Sequence, residues 1–75
     1  MELNKFIENF ADQFDDTDPS EIQSDTVFHD LDEWSSLTAM GLIALAKTKY
    51  GKTLTGKEIG HCNTVRDLFT IIESK

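Results

Sequence analysis

The sequence has one cysteine, one proline and no long hydrophobic run, and these shortages exclude several classes of protein. Because Cys62 has no second cysteine to pair with, an intrachain disulfide is impossible, and a reducing compartment is expected. The longest near-continuous apolar stretch, Ala39 to Ala46, falls far short of the roughly 20 residues that a membrane span needs. The first five residues lack the basic segment and apolar block of a secretion signal. We therefore predict a cytoplasmic protein without a membrane span.

Basic residues are scarce in the first half of the chain. Residues 1–33 contain eleven acidic side chains and a single base, Lys5, whereas residues 34–75 carry a net charge of +3, for a total of −7. An acidic first half repels phosphate backbones, so we do not expect nucleic-acid binding. Its acids either attract basic protein surfaces or form a solvated face that aids solubility.

The alternation of apolar and polar residues that is typical of strands is also missing, and apolar residues recur instead at helical spacing. The clearest apolar stripe recurs every three or four residues at Leu3, Phe6, Ile7, Phe10, Ala11 and Phe14. A second helix is predicted over Ser36–Tyr50, because Gly51 suits its C-terminal cap. A last helix is predicted after Thr64, since Thr64-Val65-Arg66-Asp67 has the form of a capping box. One short helical turn is predicted around residues 57–61.

Residues 20–34 hold no sustained helical period. We interpret them as a long connection whose apolar side chains reach the core, at Ile22, Val27, Phe28, Leu31 and Trp34. The chain is therefore predicted to be one all-α domain, residues 1–75. It would be a small helical bundle of three long helices and one short helix, with a long loop between helices 1 and 2.

Residues able to carry out chemistry are few. Cys62 lies beside His61, but adjacent residues seldom face each other, and so small a chain has little room for a substrate cleft. Two histidines and one cysteine do not make a closed zinc site. The alternating polar residues from Asp16 onward are similar to a calcium loop, but Glu21 stands where such a loop requires glycine. We predict no catalytic residue and no metal site, and we do not expect an enzyme.

Two serines, Ser35 and Ser36, stand where the second helix is predicted to begin. One serine is enough for the helix cap, which stabilises a helix by about 1 kcal/mol. The other then projects from the first turn, where unpaired N–H groups and the positive end of the helix dipole favour a negative group. A phosphoester on that hydroxyl would be stabilised by about 0.3–1 kcal/mol. The pattern is compatible with plain caps as well as with a modified serine.

The stretch FHDLDEWSSL, residues 28–37, resembles the signature of the acyl carrier protein family, in which an acidic loop runs into Asp-Ser-Leu. The likeness covers all 75 residues. An opening amphipathic helix, a long acidic loop, a helix starting at the serine, a brief third helix and a closing TVRDLFTII helix follow in the family's order and spacing.

The resemblance implies that Ser36 is the attachment site for 4′-phosphopantetheine, which a phosphopantetheinyl transferase moves from coenzyme A. The thiol of this arm would carry acyl groups as thioesters in a specialised fatty-acid, lipid or polyketide-type pathway. Acyl-loading, condensing or acyl-transfer enzymes would be the other partners. The family can also shelter the acyl chain between its helices, where the small residues Gly41, Ala44 and Ala46 would leave room.

Two departures from the family pattern concern the partners. Ser35 stands where the family usually has Asp. This replacement keeps a side chain that can cap the helix but removes a negative charge. Residues 36–50 contain no acid, whereas the second helix of the commonest fatty-acid carriers has several that meet basic patches on enzymes. Ser35, Leu37 and Met40 are the predicted partner-docking residues. We expect a monomer whose dedicated enzymes do not rely on an acidic second helix.

Two alternatives remain open. A stand-alone peptidyl or aminoacyl carrier would use the same arm to hold an amino acid, and an adenylating enzyme encoded nearby would indicate it. A helical protein-interaction module without a prosthetic group would bind a partner through Leu37 and Met40, with both serines as plain caps. Addition of the phosphopantetheine mass at Ser36 would separate the carriers from the module.

Overall fold

Four α-helices organise the part of the chain that the structure, a computed structural model, describes, namely residues 2–75. They are α1 (Leu3–Ala11), α2 (Ser36–Tyr50), α3 (Gly56–His61) and α4 (Val65–Glu73). Two short 3-10 turns, Pro19–Glu21 and Phe28–Asp30, lie in the connection between α1 and α2. Residues 2–75 contain no β-strand, only one isolated antiparallel β-bridge between Val27 and Thr64. The all-α class predicted from the sequence is confirmed.

The ends of α2 and the start of α4 lie where the sequence predicts them. Gly51 has a φ of 66°, and its N–H donates to the Ala46 carbonyl, so a left-handed glycine ends α2. At α4, the Thr64 hydroxyl accepts from the Asp67 N–H at 3.2 Å, and the Asp67 carboxylate accepts from the Thr64 N–H at 3.1 Å. The predicted capping box is confirmed. None of the helices in the described residues has the length and apolar character needed to cross a membrane.

The apolar stripe of α1 extends beyond the helix itself. Regular helix ends at Ala11, and the next turn tightens, with the Phe14 N–H donating to the Ala11 carbonyl at 3.1 Å. Phe14 is nevertheless buried. The next N–H groups, those of Asp15 and Asp16, donate to the Glu33 carboxylate and not to helical carbonyls, so the chain leaves the helix here.

The core forms where α1, α2 and α4 meet the connection. Phe6, Phe10 and Phe28 are fully buried, and the Phe10 ring lies 6.2 Å from each of the other two. Trp34 packs edge-on against Phe28 at 4.8 Å, directly before α2 begins. At the other end of α2, the Tyr50 hydroxyl accepts a 2.8 Å hydrogen bond from the Asn9 amide of α1. These contacts hold both ends of α2 against the bundle.

The connection reaches the core through fewer side chains than the sequence predicts. Ile22 and Phe28 are buried and Leu31 and Trp34 are half-buried, but Val27 is 42% exposed, so its predicted burial is wrong. Of these two neighbours, Phe28 is fully buried and Val27 remains exposed to solvent. The backbone attaches this segment instead, since the N–H groups of residues 65 and 66 donate to the carbonyls of residues 26 and 24 at 3.1 and 2.9 Å.

Candidate functional site at the start of α2

Ser35 caps α2. Its backbone is extended, and its hydroxyl oxygen accepts from the N–H groups of Leu37 and Thr38 at 3.2 and 3.5 Å. In return, the Thr38 hydroxyl oxygen accepts from the Ser35 N–H at 2.7 Å. The capping role predicted for Ser35 is confirmed, and the cap is closed from both sides by neutral hydroxyls.

Ser36 is the first residue of α2, and it is exposed. In the described residues, the hydrogen bonds of the cap use the hydroxyls of Ser35 and Thr38 and not that of Ser36. Leu37 and Met40, which were predicted to dock a partner, are 75% and 64% exposed. The structure therefore places an accessible alcohol beside two uncovered apolar side chains at one end of the longest helix.

Sequence reasoning missed Thr38. Its hydroxyl also lies 2.9 Å from the Ser35 carbonyl and 3.5 Å from the Glu33 carbonyl, so it contacts the backbone on both sides of Trp34. The spacing of a hydroxyl three residues after the cap could have revealed it, but the usual signature has Glu or Gln at that position. Thr38 holds the backbone that presents Ser36.

Glu33 was also missed, and it attaches the far end of the connection to the site. Its carboxylate accepts from the N–H groups of Asp15 and Asp16 at 3.2 and 2.8 Å, and from the Thr17 hydroxyl at 2.5 Å. The hydrogen bond from Thr17, followed by those from the backbone N–H groups, holds the pKa of Glu33 below its ordinary value despite opposing desolvation. No local pattern predicts a contact across 16 to 18 residues. Glu33 directs its charge toward these donors three residues before Ser36.

The connection also forms an acidic hollow. Its volume is about 320 Å³, and it is lined by Asp16, Thr17, Glu21, Asp30, Leu31, Asp32 and Glu33. Within residues 2–75, no group of three or more histidine, cysteine, aspartate or glutamate side chains is arranged to hold a metal ion. The hollow is therefore a negatively charged surface of the connection.

An apolar groove follows α2 on from Met40. We call it the α2–α3 groove because it lies between α2 and the connection that leads to α3. Its volume is about 520 Å³, and it is lined by Met40, Ile43, Ala44, Lys47, Thr53 and Leu54. Of the three small residues expected to leave room for an acyl chain, only Ala44 lines this groove. Ala46 is fully buried in the core, and a Cβ at Gly41 would meet the end of the Gln13 side chain, which would have to shift. Gly41 therefore allows Gln13 to approach α2 closely.

Cys62 has the surroundings of a structural residue. It is buried, and desolvation, with smaller contributions from the charges of Asp67 and Glu58, raises the pKa of its thiol. His29 donates from Nε2 to the Cys62 carbonyl at 3.1 Å, so its hydrogen bond goes to the backbone of Cys62. A neutral, buried thiol is a poor nucleophile.

Taken together, the start of α2 offers an alcohol oxygen at the positive end of a helix, between an acidic connection and an apolar groove. The serine, its cap and the exposed apolar side chains of Leu37 and Met40 come from one continuous segment, residues 33–40. Glu33 joins that segment to residues 15–17. No protein-family model matches this chain, and no curated protein or solved structure matches it either.

Proposed function

We propose that this chain is an acyl carrier protein that bears a 4′-phosphopantetheine arm on the hydroxyl of Ser36. The observation that carries the proposal is the exposure of Ser36 on the first residue of α2, where Ser35 and Thr38 complete the cap without it. If the capping oxygen belonged to Ser36, a group attached to it would break the start of the helix. Here Ser35 caps the helix, and the neighbouring Ser36 is left to carry the attached group.

The residues around Ser36 fit a phosphodiester. The first turn of α2 has no acidic side chain, so the positive end of the helix is not neutralised by α2 itself. The nearest preceding acid, Glu33, is engaged with the donors of residues 15–17. When bound, 4′-phosphopantetheine supplies a thiol on a flexible arm, which holds acyl groups as thioesters. Ser36 supplies the attachment oxygen, and Leu37 and Met40 supply apolar contacts for partners.

The order of the elements supports an acyl-carrier-like architecture. A connection with two 3-10 turns separates α1 from α2, α2 begins at the serine, and a six-residue α3 precedes α4. In this proposal the chain is a monomer and catalyses nothing itself. A phosphopantetheinyl transferase would modify it, and acyl-loading, condensing or acyl-transfer enzymes would act on its cargo in a specialised pathway.

Intact-mass measurement tests the proposal. The chain is incubated with coenzyme A, magnesium and a transferase of broad specificity, beside a carrier known to be modified. We expect the phosphopantetheine mass to add once to the wild type and not to Ser36→Ala. Ser35→Ala is the matched control: it loses the cap, at a cost of about 1 kcal/mol, but keeps the attachment oxygen and should still be modified.

Failure of the wild type to gain mass, while the known carrier is modified, would contradict the proposal. The exposed Leu37 and Met40 would then favour a protein-interaction module without a prosthetic group. Gain of mass by Ser36→Ala would mean that another hydroxyl is the attachment site. An aminoacyl carrier gains the same mass and differs only in what is loaded afterwards.

A further inference from the structure

The α2–α3 groove combines an apolar floor with one positive charge. Met40, Ile43, Ala44 and Leu54 supply the apolar side chains, and Lys47, on α2, is the charged residue of the lining. Lys47 is exposed, so its ammonium is available to a bound molecule. A surface of this kind recognises a molecule that is apolar on one side and carries a negative group near its end.

The sequence around the groove has the opposite charge to the rest of the protein. Residues 34–57 contain four lysines, Lys47, Lys49, Lys52 and Lys57, and no acid, whereas the whole chain has a net charge of −7. Residues 1–33, with eleven acids and one base, repel a negatively charged molecule, whereas residues 34–57 attract it. Complementary charge governs the encounter and the choice of partner more than the final affinity.

Resting on the proposed function, we propose that the α2–α3 groove docks a segment of a partner protein that carries apolar side chains and an Asp or Glu that pairs with Lys47. The groove begins at Met40, one helical turn after Ser36, and Lys47 lies about 16 Å from Ser36 along the helix axis. A partner held there lies beside anything attached to Ser36. The exposed Leu37 extends the apolar surface toward the serine.

Two synthetic amphipathic helices of about four turns test the charge preference. They share the same leucine face and differ only in their flanking residues, which are glutamates in one peptide and lysines in the other. Binding to the ¹⁵N-labelled, unmodified chain is followed by NMR. We expect the glutamate peptide to shift the amide signals of residues 40–47 and 53–54, with an affinity that falls as salt is added. The lysine peptide should instead shift signals of the acidic residues 15–33.

Charge reversal at matched positions gives the second arm of the test. Lys47→Glu should weaken binding of the glutamate peptide about three- to tenfold. Lys49→Glu is the control: it makes the same change on the same helix, but Lys49 lines a different depression with Tyr50, Lys52 and Glu73, so its effect should be less than twofold. Both lysines are exposed, so both variants should fold.

The proposal is overturned if the lysine peptide occupies the groove more tightly, or if both reversals have the same effect. Concentration-dependent shifts of the groove residues without peptide would identify a second copy of the chain as the occupant. Shifts there after loading of an acyl group on Ser36, with loss of peptide binding, would identify the cargo instead. Because the peptide experiment uses the unmodified chain, it can fail while Ser36 is still modified, and the converse also holds.

Discussion

The N-termini of α2 and α4 share one type of cap but present opposite surfaces. Each has a hydroxyl at the cap position and a reciprocal partner three residues later. Within α4 the first residue, Val65, is fully buried, whereas within α2 the first residue, Ser36, is exposed. The same type of cap is thus found at one helix start that is buried in the core and at another that is exposed to solvent.

The two caps also differ in charge. Asp67 closes the cap of α4 and Glu58 closes that of α3, whereas Thr38 closes that of α2. The carboxylates offset the positive ends of their helices, but the hydroxyl of Thr38 cannot. The start of α2 is therefore capped without being neutralised, which suits a helix start that is proposed to bear a phosphodiester.

The largest difference is expected from truncating the first residue of each helix. Val65→Ala removes two buried methyl groups and should lower the free energy of unfolding by about 1–3 kcal/mol. Ser36→Ala should change it by less than about 0.5 kcal/mol, because the hydroxyl is exposed and outside the cap. Urea denaturation of the two variants measures both values. Equal losses would show that the Ser36 side chain contributes to the fold, and the contrast between the two starts would disappear.

A smaller effect on stability is expected when the third residue of α2 becomes an acid, as it already is in α3 and α4. Thr38→Glu should raise the free energy of unfolding by about 0.3–1 kcal/mol at low salt, since the carboxylate meets the positive end of the helix. Thr48→Glu, near the negative end of α2, should be neutral or destabilising. The difference between the variants should shrink as salt is added. If Thr38→Glu destabilises the protein, the neutral cap of α2 is the more stable form.

The smallest effect on stability is expected from protonation of the α4 cap at low pH. Hydrogen bonds from the N–H groups of Thr64 and then Asn63 lower the pKa of Asp67. Its stabilising contribution is therefore complete above the ordinary pKa near 4 and lost as the pH falls through the lowered value. The difference in unfolding free energy between wild type and Asp67→Asn should shrink from about pH 5 to pH 2. The difference for Ser35→Ala should stay constant, because no carboxylate closes that cap. Denaturant titrations at several pH values measure both, and a constant difference for Asp67→Asn would contradict this explanation.

The boundaries of α2 and the start of α4 could be predicted because their causes lie within a few residues. Gly51 ends α2 by adopting a left-handed conformation, and Thr64 starts α4 by bonding three residues ahead. The cap of α2 at Ser35 belongs to the same class. Each depends on hydrogen bonds whose partners are neighbours in the chain, so the residue types alone indicate them.

Burial in the connection was harder to predict. Five apolar side chains between residues 22 and 34 had the same apparent reason to enter the core, yet Val27 remains 42% exposed. Phe14 is buried although α1 ends three residues earlier. The first outcome accompanies backbone hydrogen bonds from residues 65 and 66 to residues 26 and 24, and the second accompanies packing of the Phe14 ring against Phe10. Burial of this kind depends on contacts between distant segments, so no short stretch of sequence predicts it.

The sequence by itself determined the all-α class, the extent of α2, its cap at Ser35 and the position of Ser36 on its first turn, because these follow from periodicity and local hydrogen bonding. Only the tertiary structure decided that Glu33 holds residues 15–17, that Gly41 faces Gln13, and that Lys47 lies in one groove with Leu54. These contacts join residues from separate segments. Their geometry depends on how the helices pack, and packing is a property of the whole chain.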